Sequence, residues 1–245
     1  MKPAFGLFGF FALLLPACEP IEPAGTPGVF HEGGFSYCDL PHGICDVERP
    51  LPNRIAVSSV FWLQYSPAVD QATVLASSDD TRLSAVGTPT DSGEFRALQA
   101  GAVRAEAMNV SQHGLLDYVN LTLGNIDHIG VRSCSRAYNA ITSPDGGFDP
   151  ASCDASDAGL STIEISRGTS LAPTVCVVVT AVDGVELGGA LPVSWTASGD
   201  DPASVTLFVG EDSRCATLAA TRLGSTSITV ATAGLSSSFT ATVVP

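Results

Sequence analysis

Lysine is almost missing from this chain: Lys2 is the only one in 245 residues, and every other cation is an arginine. The 11 cations face 25 acidic residues, a formal net charge of −14. A field of that sign repels nucleic acid and anionic lipid headgroups, so neither is expected as a partner. Long apolar runs are missing too. Past the first residues no stretch approaches the roughly 18 consecutive apolar residues that a spanning helix needs. Helical periodicity is also absent, since no segment keeps the i, i+3, i+4, i+7 pattern beyond about two turns. Chemistry-bearing motifs are scarce: there is no G-x-S-x-G elbow, no phosphate-cradling glycine loop and no H-E-x-x-H. With no nominated nucleophile, cofactor cradle or metal pair, the chain is read as a non-enzyme that carries no cofactor.

The N-terminus is informative. After Met-Lys-Pro comes "AFGLFGFFALLL", an apolar run without a polar side chain that suits a signal peptide and is too short to span a bilayer. It leads into Leu15-Pro16-Ala17-Cys18, which resembles the lipobox of bacterial lipoproteins. That resemblance implies cleavage after residue 17 and acylation of Cys18, so that two or three chains anchor the protein to a bilayer where one would hold only marginally. An ordinary cleaved secretory signal with Cys18 as a free or paired thiol is the alternative.

Cys18 also bears on the cysteine count. The chain has seven, and setting Cys18 aside leaves Cys38, Cys45, Cys134, Cys153, Cys176 and Cys215. An even set in an exported chain points to disulfides, and six cysteines allow fifteen connectivities. Neighbour pairing, Cys38 with Cys45, Cys134 with Cys153 and Cys176 with Cys215, is preferred because each pair lies within one apparent unit.

Residues 18–28, rich in proline, glycine and acid, read as a tether. Residues 29–53, with aromatics, two cysteines and many turn formers, read as a small stapled lead-in packed on the first domain. From 54 to 133 short runs rich in valine, threonine and aromatics alternate with turn residues: "RIAVSSVFWLQY", "ATVLASSDD", "TRLSAVG", "EFRALQAG", "AVRAEAMNV", "DYVNLTL". Only "FRALQAGAVRAEAM" has any helical look, and its central Gly101 with flanking valines favours a hairpin. Residues 134–160 read as a disulfide-pinned linker. From 161 to 245 seven strand candidates occur, the number that an immunoglobulin-like sandwich wants. The halves also resemble each other at an offset of about 121 residues: "ASSDD" at Ala76 answers "ASGDD" at Ala197, and "ALQAGAVRAEA" answers "TLAATRLGSTSITV". A repeat of that length means two copies of one domain. The predicted architecture is therefore all-β, two tandem immunoglobulin-like β-sandwiches after a cleaved signal and a flexible tether.

The segment from Thr162 to Val244 contains Val193-Ser194-Trp195-Thr196 followed by "SGDD", then "CATLAATRLGSTSITVATAG" and a closing "SFTATVV". With these motifs it resembles the bacterial immunoglobulin-like domains of the group-2 type. Cys176 and Cys215 depart from the family's pattern. The resemblance implies a spacer, adhesin stalk or binding module on a cell surface.

Several residues are candidates for a site. Phe61, Trp62 and Tyr65 share one strand, and because neighbours alternate faces, Phe61 and Trp62 cannot both point inward. One ring is then either a binding surface for sugar or protein, or is covered by the lead-in through Phe35 and Tyr37. Trp195 is expected in the core. Cys38, His42 and Cys45, with His31 upstream, could hold zinc, but a disulfide between Cys38 and Cys45 is simpler in an oxidising compartment. Asp145, Asp149, Asp154 and Asp157 could offer oxygen ligands to calcium; their spacing departs from the D-x-D-x-D-G loop, so no metal is assigned. Asp79 with Asp80 and Asp200 with Asp201 are read as turn residues. His113, His128 and Asp117 make no recognisable triad. The sequence thus suggests a Gram-negative-type envelope lipoprotein, bound to the bilayer through acylated Cys18 and acting as a structural, adhesive or protein-interaction module toward envelope proteins or glycans. The alternatives are a carbohydrate- or ligand-binding accessory module and an enzyme with an unrecognised site.

Overall fold

The computed structural model describes residues 34–38, 51–66, 72–111, 114–134, 159–168, 172–210 and 213–245. All of its named elements are strands. Eight build a first sandwich: β1 Phe35–Cys38, β2 Ile55–Ala56, β3 Val60–Tyr65, β4 Thr73–Ser77, β5 Leu83–Val86, β6 Ser92–Ala97, β7 Gly101–Asn109 and β8 Leu115–Gly124. Eight more build a second: β9 His128–Cys134, β10 Thr162–Ser166, β11 Thr174–Thr180, β12 Ser194–Ser198, β13 Val205–Val209, β14 Cys215–Ala220, β15 Gly224–Thr232 and β16 Leu235–Val244.

The two follow one plan. The first has sheets ordered β1-β3-β6-β5 and β2-β8-β7-β4, and the second has β9-β11-β14-β13 and β10-β16-β15-β12. Each strand of the first thus has its counterpart eight strands later. This is the immunoglobulin-like division of strands between two sheets, with the opening strand split so that its second piece, β2 or β10, pairs in parallel with the last strand. The "ASSDD" and "ASGDD" segments lie at the ends of the counterpart strands β4 and β12.

Alternation explains why these residues make sandwiches. In β3 every second residue is buried, placing Phe61, Leu63 and Tyr65 inside; in β15 the buried set is Thr226, Ile228, Val230 and Thr232. The first core gathers Phe61, Phe95, Leu63, Leu75, Leu83 and Leu121; the second gathers Val177, Leu218, Ile228, Val230, Phe239 and Val243. Strand β11 is buried at six consecutive positions, Thr174 to Val179, because its outer face is covered as well.

The boundaries differ from the sequence reading in three places. Part of the 29–53 lead-in is an edge strand of the first sandwich: Phe35 to Cys38 pair antiparallel with Tyr65 to Trp62. Residues 128–134 leave the 54–133 unit, because β9 pairs over seven residues with β11 and completes the second sandwich. The 134–160 stretch therefore joins two strands of one sandwich, β9 and β10, and the link between the sandwiches is only Asn125, Ile126 and Asp127. Finally, "FRALQAGAVRAEAM" is two strands but not a hairpin, since β6 and β7 belong to opposite sheets and the chain crosses between them at Leu98–Ala100.

Among the described residues no helix is long and apolar enough to cross a membrane.

Candidate functional site

The sequence nominated the aromatic strand. Phe61 is fully buried and Tyr65 is buried, so both are core residues rather than binding surface. Phe35 and Tyr37 do not cover an outer ring. They lie on the inner face, with Phe35 5.1 Å from Tyr65 and Tyr37 5.8 Å from Phe61 between ring centroids. Trp62 alone points outward and is half-buried, in a row with Cys38, Glu94 and Val86 across four strands.

Trp195 is partly buried against the second core, and its indole Nε1 donates to the Ser213 carbonyl at 2.7 Å. Ser213 is in turn fixed by its hydroxyl, which accepts from Val193 N at 3.0 Å and donates to the Leu191 carbonyl at 3.2 Å.

Cys176 and Cys215 form a disulfide, one of the pairings expected from the sequence. They are direct partners in the β11–β14 register. Cys38 and Cys134 each take part in a disulfide as well, though not with each other, which removes Cys38 as a zinc thiolate. Cys18, His31, His42, Cys45, His113, Cys153 and the calcium candidates Asp145, Asp149, Asp154 and Asp157 lie outside the described residues. Among the described residues no group of three or more His, Cys, Asp or Glu side chains is placed to hold a metal. The turn aspartates do turn work: Asp79 accepts from Thr81 N and Oγ1 at 3.0 and 2.6 Å, and Asp201 pairs with Arg222. Hydrogen bonds from Thr81, with help from Arg82, hold the Asp79 carboxyl below its ordinary range despite the opposing effect of desolvation.

Asp117 is an exception to the apolar core. It sits on the same face of β8 as Val119 and Leu121 and is buried. Burial raises its pKa, partly countered by the Tyr118 N–H donating to its carboxylate at 2.7 Å. Burial, and the Asp117 charge in second place, also push the Tyr65 phenol upward.

Sequence reasoning missed the joint between the sandwiches. The segment between β11 and β12, residues 181–193, reaches back and pairs with the first sandwich. Gly188 O accepts from Ala56 N at 2.9 Å, and Gly188 N donates to Arg54 O at 2.8 Å. Val60 and Ala190 exchange both of their backbone hydrogen bonds, at 2.9 and 2.7 Å. Close approach depends on the glycines. A Cβ on Gly188 would strike Pro52, and one on Gly189, where φ is +97°, would strike the Ser59 side chain. Strand alternation splits β2 between the cores: Ile55 packs into the first cluster and its neighbour Ala56 into the second, beside Leu187. At the rim Arg54 pairs with Asp183 at 3.0 Å. Burial opposes the Asp183 charge, but the Val185 N–H and Arg54 outweigh it and hold that carboxyl low. The available signal was "LGGALP", an apolar run broken by adjacent glycines, which reads equally well as a turn.

Two open clefts flank the joint. One of about 500 Å³ is bounded by Ser58, Val60, Arg96, Leu98, Ala190 and Pro192. The other, about 430 Å³, is bounded by Arg54, Thr122, Asn125, Asp127 and Val182 among others. Trp62 lines neither of them.

No family model matches the chain, and no curated protein matches it. Solved structures do. Domains 4 and 5 of the S-layer protein SbsC are 13% identical with a TM-score of 0.31, over 76% of this chain and 82% of that one. The Escherichia coli adhesin FdeC is 12% identical with a TM-score of 0.32, over 90% and 66%. The D00-D0 domain of intimin is 15% identical with a TM-score of 0.28, over 86% and 100%. At these identities and scores the immunoglobulin-like assignment rests on the strand order and register of the two sandwiches.

Proposed function

We propose that this protein is a stiff two-sandwich spacer and interaction module of a bacterial cell envelope, tethered to a bilayer through acylated Cys18. The observation that carries the reading is the joint. Tandem domains move relative to one another unless a large or well-bonded interface holds them. Here a three-residue link, four backbone hydrogen bonds and a shared strand with one residue in each core remove that freedom. A fixed joint transmits position along a stalk, which is what a module presenting a surface at a set height requires. The lipobox-like Leu15 to Cys18 and the acidic, proline-rich residues 18–28 supply the anchor and its tether, and an envelope protein or a glycan is the partner expected.

The anchor and the stalk are tested separately. Metabolic labelling with a fatty acid should mark the wild-type chain and leave Cys18→Ala unlabelled, and globomycin should block processing; an unlabelled wild type removes the anchor. Small-angle scattering of the full chain should fit one rigid body of two sandwiches. A broad distribution of inter-sandwich distances removes the spacer.

A further inference from the structure

The outer face of the second sandwich carries three cysteines in contact. Cys134 on β9, Cys176 on β11 and Cys215 on β14 form a buried cluster of their own, with 4%, 2% and 1% exposure. Register explains the meeting. Cys134 is opposite Thr174 and Cys176 is opposite Cys215, so Cys134 and Cys176 are diagonal neighbours on one face of an antiparallel pair. Their sulfurs are 3.3 Å apart although each is already bonded, Cys176 to Cys215 and Cys134 in a disulfide of its own. In the first sandwich Cys38 holds the place of Cys134, opposite Trp62, but Gln64 and Ser92 stand where Cys176 and Cys215 do. The adjacency belongs to the second sandwich.

We propose that Cys134, Cys176 and Cys215 form a disulfide relay that carries an exchange event from the Cys134 bond to the buried strand pair β11–β14. The incoming reactant is a small thiol. Its thiolate attacks the sulfur bonded to Cys134, a mixed disulfide forms there, and Cys134 leaves as a thiolate. Cys134 then attacks Cys176 across the 3.3 Å contact. The Cys134–Cys176 bond forms, the Cys176–Cys215 bond breaks, and Cys215 leaves as a thiolate that takes a proton from solvent. One thiol is consumed and one appears, so the electrons balance. The second step needs no external access, which matters for sulfurs this buried. Arg132 lies directly opposite Cys176 in the register, is buried, and pairs through Nη2 with Glu186 at 3.0 Å. The outcome moves the cross-link from β11–β14 to β9–β11 and leaves Cys215 as the free thiol.

Peptide mapping tests the relay cleanly. Cleavage after arginine puts Cys134 in residues 133–136, Cys153 in 137–167, Cys176 in 168–214 and Cys215 in 215–222, four separate peptides. The oxidised full chain is titrated with glutathione until the Cys134 bond has opened, then acid-quenched and alkylated. The expected result is a linked 133–136 and 168–214 pair with Cys215 alkylated at least tenfold more than Cys134. Alkylated Cys134 beside an intact Cys176–Cys215 pair would overturn the proposal. A Cys215→Ser variant provides the second reading: Cys176 should bond Cys134 and release the former partner of Cys134 as a thiol, with tryptophan fluorescence confirming the folded state. A free, alkylatable Cys176 in that folded variant also overturns it.

Discussion

The backbones of Val60 and Ala190 are hydrogen-bonded to each other in both directions although 130 positions and a sandwich boundary separate them. The residue between this bridge and Gly188 is Gly189, whose left-handed φ and contact with Ser59 tolerate no side chain. Gly189→Ala is therefore expected to open the joint while leaving both cores intact. Strain at a positive φ costs about 1 kcal/mol before the Ser59 clash is added. Calorimetry should change from one cooperative transition to two, and scattering should show a longer, more variable particle. A single unshifted transition would show that the joint carries no stability.

Phe61 and Trp62 are adjacent yet unequal. Phe61→Ala removes a fully buried ring that stacks near Phe95, with centroids 6.1 Å apart, and should cost about 3–5 kcal/mol of stability. Trp62→Ala, at a half-buried position on the outer face, should cost clearly less. Denaturant titration of the two variants checks the order, and equal losses would place Trp62 in the core as well.

Asp117 and Asp79 should respond to acid in opposite senses. Burial raises the Asp117 pKa, so the folded chain takes that proton more readily than the unfolded one, and the charged group opposes folding at neutral pH. Asp117→Asn keeps an acceptor for Tyr118 N–H and should raise Tm near pH 7, with the gain vanishing at acid pH where the carboxyl is neutral. The Asp79 pKa is lowered, so its contribution is complete above the ordinary carboxylate range and fades as pH falls through the depressed value. Asp79→Ala should lower Tm near pH 7 and change nothing in strong acid. Matching pH profiles for the two variants would contradict both assignments.

Ser213 holds three groups in place, the Val193 N–H, the Leu191 carbonyl and, through its own carbonyl, the Trp195 indole. Ser213→Ala leaves the Val193 donor without its partner and should cost about 1–3 kcal/mol. Trp62 and Trp195 are the only tryptophans, so a Trp62→Phe background isolates the Trp195 emission, which should shift to the red as the indole loosens. Unchanged emission would mean that the indole is held by packing alone.

Strands were legible where one face is buried and the other is wet. "TSITVAT" in β15 and "SSSFTATVV" in β16 show their period directly, and the seven candidates of the second half are β10 to β16. Strand β9 was not separable from the first half, since "HIGVRSC" continues a valine-rich stretch and only pairing with β11 assigns it. Similarly, Phe35 to Cys38 is too short and too flanked by turn residues to declare itself a strand. An even cysteine count could suggest Cys176 with Cys215, because direct cross-strand partners need only correct register. It could not reveal the proximity of Cys134, which depends on a third strand. The joint was the least legible feature, because Gly188 and Gly189 are chosen by another domain's backbone rather than by local structure.

Sharing β2 between two cores also orders the folding of the chain. Ala56 is made early in synthesis, but its packing partner Leu187 and its acceptor Gly188 O are more than 130 residues downstream. Contacts of such separation form late, after their loop has been closed. The N-terminal sandwich can therefore reach its complete hydrogen bonding only after the chain has been made through Ala190, about midway along the C-terminal one, so the second sandwich acts as the template that finishes the first.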